Sequence, residues 1–467
     1  MYKREEQRVV TNFSKWKLLG AVLIGTLVTP QIVSLAWAKP AFAQSSPKPT
    51  GNGAIFFHPD GTSASHWDAT RILHYGPDGE LNWDRLPFIS PYRGHLSDQL
   101  TGTSNAGAVT HATGTRAYSA SFGLDPEGNE YVSANGTTNT IMEEAVKAGL
   151  GTALVQSGSL IEPGTAAFVS EARRRQDYEE IALEVVESGV DIMLGAGEEW
   201  LLPKGIQGRF GMGARTDGRN LIEELTAAGY RIVYTRDELL KLPKDVKKVF
   251  GVFNVEDTFY DQPEEKLRAQ GLPNYIPSAP TIAEMTEFAL SRVSRDKQGF
   301  LVVIEEEGTD NFCNNLNASG CLEAFKRADD AAGTILNFIE KNPKTFMVTA
   351  SDSNAGGMEI LDVESAEEPL PANDETSGSP IDGIDGTGTK PFISAPDLNG
   401  NSFPFAIAWA SSDDVGSGVI ARAAGLNAEK LMPTTGISNT DIYRMLYFTL
   451  FGERIPRDRE TNTRTGR

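Results

Sequence analysis

The stretch FLVVIEEEGTD, residues 300–310, runs from five consecutive apolar residues into three glutamates and then, three residues on, Asp310. A strand that is apolar at every position is covered on both faces, the condition of an inner strand in a parallel sheet with helices above and below. Its first polar residue, Glu305, then emerges where the strand ends. Three adjacent glutamates also suit a solvated turn, but so apolar a strand delivers its end to the sheet edge. The pattern recurs with Asp60 after AIFFHP (54–59), Asp352 after FMVTAS (346–351) and Asp414 after FAIAWASSD (405–413), the last read as a further inner strand. In an open parallel sheet the carboxyl ends share one edge, where ligands bind. The expectation is an α/β fold with these acids gathered at one rim.

A second stretch, QLTGTSNAGAVTHATGTRAYSASFGLD (99–125), sets Ser104 among small residues, with nothing apolar larger than Val109 between Leu100 and Tyr118. A hydroxyl so placed can be approached closely. Further on, SGSLIEPGTAAFVSEARRRQDYEEIA carries Thr165, an oxygen donor in a polar loop, and Arg173, Arg174 and Arg175 ahead of a helical pattern at 178–187. One guanidinium turned inwards forks two phosphate oxygens, and the others stay solvated.

The chain has 467 residues and a formal charge of −20, which argues against nucleic-acid and anionic-membrane partners because the long-range field repels polyanions. Alternating apolar runs and helical patterns continue throughout, so one large domain is expected over 53–454, with a loop insertion at 361–403, a disordered lead-in at 44–52 and a tail at 455–467. Residues 1–43 place lysines and arginines before LLGAVLIGTLV and end in Ala41-Phe42-Ala43, the pattern of a signal peptide cleaved after Ala43, so the expected location is secreted or periplasmic without lasting membrane association. An uncleaved anchor is the alternative. Export permits a disulfide, and the two cysteines, Cys313 and Cys321, flank the loop NNLNASG; a bridge is favoured over two separate thiols. Strands are expected near 54–58, 152–156, 192–195, 230–234, 249–253, 301–304 and 346–350, and helices near 140–148, 220–228, 282–293 and 439–450.

Asp60, Glu305, Asp310, Asp352 and Asp414 cannot all ionise at close range without cations, because like charges raise one another's pKa. Divalent metals relieve this, and two ions about 4 Å apart clamp the attacking and leaving oxygens of a displacement at phosphorus. Ser104 supplies an attacking hydroxyl.

These residues resemble the alkaline phosphatase family. The match runs over 54–452: PDG at 59–61 resembles the family's first metal turn, ATGTRAYSASFGLD at 112–125 its segment after the nucleophile, and RTDGRNLIEE (215–224) and IAEMTE (282–287) its scaffold. The resemblance implies a three-layer sandwich with a large, mostly parallel central sheet and helices on both faces. It further implies Ser104 as the phosphorylated nucleophile, Asp60 bridging two metals, Thr165 and Glu305 on magnesium, Arg175 on phosphate, and Asp352 and Asp310 on the catalytic pair. A homodimer is compatible with it.

The departures concern metal choice. Where the family has three zinc-binding histidines, this chain has Asn314, Ser353 and Asp414, and its five histidines, His58, His66, His74, His95 and His111, all precede Thr113. Oxygen donors suit magnesium first, with calcium or manganese as the other candidates at the catalytic pair, rather than zinc. His58 or His66 near Asp60, and His111 near Ser104, stay open as ligands beside the commoner packed role. The expected activity is metal-dependent phosphate-monoester hydrolysis. The alternatives are a phosphodiesterase of the same fold and an inactive phosphate- or metal-binding relative.

Overall fold

The protein's structure is a computed structural model that describes residues 47–457. The expected signal peptide and residues 458–467 of the expected tail lie outside the described residues. Along the chain come β1 (Gly53–Pro59), β2 (Phe88–Arg93), β3 (Gly151–Ser159), β4 (Ile192–Ala196), β5 (Arg231–Val233), β6 (Val249–Val252), β7 (Phe300–Glu306) and β8 (Thr345–Thr349). Then follow β9 (Met358–Asp362), β10 (Ile381–Gly383), β11 (Gly386–Thr387), β12 (Phe392–Ile393), β13 (Pro404–Trp409), β14 (Ile420–Gly425) and β15 (Ile437–Ser438).

The large sheet has the order β15-β2-β14-β8-β1-β7-β3-β4-β6-β5, and among its described strands only β14 runs against its neighbours. Every residue of β1, β3, β7 and β8 is buried, which is why their sequences carry no alternation. Alternate side chains serve opposite layers. Ala54, Phe56, Leu301 and Val303 share a core with residues of the helices Ser104–Thr113, Ile141–Lys147, Tyr178–Glu187 and Asp441–Phe451. Ile55, Phe57, Val302 and Ile304 share the other with Ala64–Tyr75, Ile282–Val293 and Ala318–Lys341. The result is the three-layer α/β arrangement, in which truncating Phe56 or Phe57 to alanine costs about 3–5 kcal/mol.

Two expectations are corrected. β13 is not an inner strand of the large sheet; with β9, β10, β11 and β12 it forms a separate antiparallel sheet. Its residues do alternate: Phe405, Ile407 and Trp409 enter one core, while Ala406 meets Leu370 and Ile381 in a small cluster. Asp414 therefore reaches the rim from this second sheet. Nor is 361–403 merely a surface loop, since β10, β11 and β12 lie within it; strands of two or three residues are too short to leave a periodic signature.

The lead-in is held from residue 50 onward, where Thr50 Oγ1 donates to the Thr449 carbonyl at 2.8 Å and the Gly51 N–H to the Gln298 carbonyl at 3.1 Å. Cys313 and Cys321 are disulfide-bonded, tying the helix Gly308–Asn314 to the first turn of Ala318–Lys341. No helix among the described residues is long and apolar enough to cross a membrane.

Candidate active site

Strand register builds the floor of the site. His58 on β1 and Gln156 on β3 both lie opposite Glu305 on β7, so three polar side chains form a row across the adjacent strand ends. His58 Nδ1 is 3.2 Å from Glu305 Oε1, and Gln156 Nε2 donates to Glu305 Oε2. All three are fully buried. The next glutamate points elsewhere: Glu306 Oε1 accepts from Ser157 Oγ at 2.8 Å and Tyr275 Oη at 2.7 Å. Glu307 turns back, and its carboxylate lies within 4.8 Å of those of Asp60 and Glu305.

Asp60 occupies the turn after β1, and Gly61 follows with φ 63°, a left-handed conformation that glycine adopts without strain. A Cβ on Gly61 would stand 2.6 Å from Asp310 Oδ1, so the bare backbone lets the acids of two strand ends approach. The same device acts on the helix Ser104–Thr113, where a Cβ on Gly107 would stand 2.4 Å from the Asp352 Cβ. A Cβ on Gly164 would lie 1.6 Å from Glu305 Oε1, so glycine there brings the turn Pro163–Ala166 and its Thr165 against Glu305. The run of small residues around Ser104 thus reflects close approach by Asp352.

Ser104 is the first residue of its helix and 5% exposed. Burial works to raise the Asp60 pKa, but the His58 ring, the Asp352 carboxyl, the Gly61 N–H and the Ser104 hydroxyl hold it below its ordinary value. Burial, then the charges of Glu305, Glu162, Asp60 and Asp310, push Glu307 well above the carboxylate range. Asp310 is raised by burial and Asp414, and Asp352 by burial and Asp60. Arg175 Nη2 donates to Glu162 Oε2 at 2.5 Å; Glu162 first, and against burial Glu307, Asp310 and Asp60, raise its pKa. Arg174 pairs with Asp177 at the surface, and Arg173 is exposed.

The sequence-derived residues Asp60, Ser104, Thr165, Glu305, Asp310, Asp352, Ser353 and Asp414 thus gather around one rim, with Arg175 bordering it. Asn314 lies among these acids with its amide hydrogen-bonded at both ends. Its Oδ1 accepts the Gly356 N–H at 2.9 Å, which fixes the amide's orientation and leaves Nδ2 donating to both Asp310 oxygens at 3.1 Å and to Asp414 at 3.2 Å. It bridges two acids, and its oxygen accepts one backbone N–H. Residues that the sequence did not single out are Glu307, Gln156 and Glu162. His66 is engaged through both ring nitrogens, with Ser63 and with the Ala355 carbonyl. His111 Nε2 pairs with Tyr92 Oη at 2.6 Å.

Among the buried oxygens left without hydrogen-bond partners are Asp60 Oδ2, Asp352 Oδ2, both Glu307 oxygens, Thr165 Oγ1 and Ser353 Oγ, and His58 Nε2 is a nitrogen in the same state. Burying such groups unpaired is costly, and a group of them converging has the makings of a cation site.

The family model for alkaline phosphatase matches residues 52–381. The chain is 27% identical over 373 residues to the repressible alkaline phosphatase of Saccharomyces cerevisiae, covering 76% of this chain and 63% of that protein. It is 25% identical over 272 residues to alkaline phosphatase 3 of Bacillus subtilis, covering 56% and 51%. The chain thus spans between half and two thirds of the length of these curated relatives. Among solved structures, Thermus thermophilus alkaline phosphatase aligns with a TM-score of 0.66 at 19% identity over 92% of this chain and 97% of that one. The alkaline phosphatase of the Antarctic bacterium TAB5 aligns at 0.62 and 19%, over 86% and 98%. These likenesses show the fold.

Proposed function

The chain belongs to the alkaline phosphatase family, and we propose that it is a secreted, metal-dependent phosphomonoesterase that releases inorganic phosphate through a phosphoserine at Ser104. What carries this reading is the group of buried oxygens without partners beside Ser104. Carboxylate and hydroxyl donors fit hard divalent ions, magnesium foremost and calcium or manganese next. Asp60, Glu305, Glu307 and Thr165 would hold one ion, Asp60, Asp352 and Ser353 a second, and Asp310 with Asp414 a third. When bound, such ions neutralise the acids, polarise the phosphoryl group and lower the pKa of a hydroxyl.

The protein's own groups do the rest. Ser104 stands at a helix N-terminus, whose first N–H groups have no partner within the helix and favour an anion. Its oxygen takes the phosphoryl group as the alcohol departs, and water then releases phosphate and restores the hydroxyl. Arg175, positioned by Glu162, forks two non-bridging oxygens. A site that pairs one guanidinium with a dianion favours monoesters over diesters. Secretion rests on residues 1–43, and the bonded Cys313–Cys321 pair supports an oxidising compartment.

The test is phosphate release from p-nitrophenyl phosphate by protein loaded in turn with magnesium, calcium, manganese and zinc, beside Ser104→Ala and beside the bis ester. Release above the Ser104→Ala level with a hard ion supports the reading. A preference for the bis ester makes the chain a phosphodiesterase. No release with any ion leaves a binding protein.

A further inference from the structure

We propose that His58 is itself a metal ligand of this site, its Nε2 joining Asp60 and Asp352 in a seat of one nitrogen and two carboxylates, while Glu305 orients the ring from behind. The inference rests on the metal-dependent reading above and assigns a donor that the expected ligand set lacks.

His58 lies near the end of β1, two residues before Asp60 in the turn that follows. Its ring is fully buried, with Nε2 3.4 Å from Asp60 Oδ1 and 3.9 Å from Asp352 Oδ1. Donor atoms of His58, Asp60 and Asp352 all lie within 4.8 Å of one another.

Glu305 is engaged on both sides: Gln156 donates to Oε2, and Oε1 faces His58 Nδ1. An ionised carboxylate only accepts, so Nδ1 is the nitrogen that donates to Glu305, and Nε2 is the one turned to Asp60 and Asp352. A carboxylate holding the far nitrogen is the usual support of a metal-bound imidazole, fixing its tautomer and orientation. Nε2, Asp60 Oδ2 and Asp352 Oδ2 all lack hydrogen-bond partners, so each of the three residues keeps a buried donor atom unspent.

His66 spends both nitrogens on Ser63 and Ala355, and His111 turns Nε2 to Tyr92 while its Nδ1 has no hydrogen-bond partner. Of His58, His66 and His111, it is His58 whose ring nitrogens pair with acids of the cluster. An imidazole in an otherwise oxygen-lined site tilts that seat towards a first-row ion such as manganese over calcium.

The test is pulsed EPR on the full-length exported protein, loaded with Mn2+ and freed of excess, with histidine 15N-labelled. A directly bound nitrogen imposes an echo modulation at the 15N frequency. The proposal expects that modulation in the wild type, its loss in His58→Ala, and fewer Mn2+ ions retained by the variant. Bound Mn2+ without nitrogen modulation in the wild type overturns the role of His58, even where phosphate release persists. Modulation that survives in His58→Ala overturns it too. If the variant does not fold, the labelled wild-type spectrum decides alone. Failure of the phosphatase reading is separate: it appears as phosphate release no greater than that of Ser104→Ala, whatever the spectrum.

Discussion

Replacing Glu307 with glutamine reverses the sign of its effect with metal. Glu307 is fully buried, both its oxygens lack partners, and its carboxylate lies within 4.8 Å of those of Asp60 and Glu305. Two ionised carboxylates at that separation repel by about 3.5 kcal/mol at an effective dielectric of ~20. Protonation already relieves part of this, since burial and its neighbours push the Glu307 pKa up. The realised gain from Glu307→Gln in chelator is then about 1–2 kcal/mol. At ~2.1 cal/mol/K per residue over the roughly 410 residues described, that raises Tm by about 1–2 °C. With Mg2+ at a hundred times its Kd, binding adds about 2.7 kcal/mol to the wild type. A hundredfold weaker site leaves about 0.4, and the difference exceeds the gain, so the variant melts below the wild type. Thermal melts in chelator and in Mg2+ test this. A variant that stays more stable than the wild type in saturating Mg2+ refutes the view that Glu307 serves a cation.

Gly107→Ala sets a Cβ 2.4 Å from that of Asp352, so it costs about 1–3 kcal/mol and weakens metal retention; unchanged denaturant midpoint and metal content would contradict the close approach. Glu162→Gln releases the clamp on Arg175, and steady-state kinetics should show a larger change in KM for a monoester than in kcat. Reducing Cys313–Cys321 lowers stability by about 2–3 kcal/mol on chain-entropy grounds, read as a shifted denaturation midpoint. Away from the site, burial and then Asp382 raise the Glu264 pKa from 4.5 to about 9. The folded state therefore favours its protonated form, and this contribution is present below about 4.5 and lost as pH rises through 9. Glu264→Gln should raise Tm at pH 8–9 and leave it nearly unchanged at pH 4.5.

The inner strands were legible because β1, β7 and β8 each carry an unbroken apolar run, the mark of burial on both faces. The acids after them followed from that. The route of Asp414 was not legible, because β13 belongs to a sheet whose other strands are mostly too short to show a period. Within the three glutamates, only register with β1 and β3 separates Glu305, beside His58 and Gln156, from Glu306, beside Ser157 and Tyr275, and from Glu307 in the cluster. The part played by Asn314 depends on the Gly356 N–H, 42 positions away. A histidine two residues before Asp60 was visible as a candidate, but its other acid neighbours, Glu305 and Asp352, come from other strands or the turns after them.

The central claim is that Ser104, beside acids that would hold hard ions, takes the phosphoryl group from a monoester as its alcohol departs. Acid-quenching the metal-loaded enzyme during turnover, then measuring peptide masses, tests it most directly. The account predicts one phosphate on the peptide containing Ser104, absent after chelation and absent in Ser104→Ala. Turnover with that peptide unmodified, or with phosphate held on another residue, would contradict it.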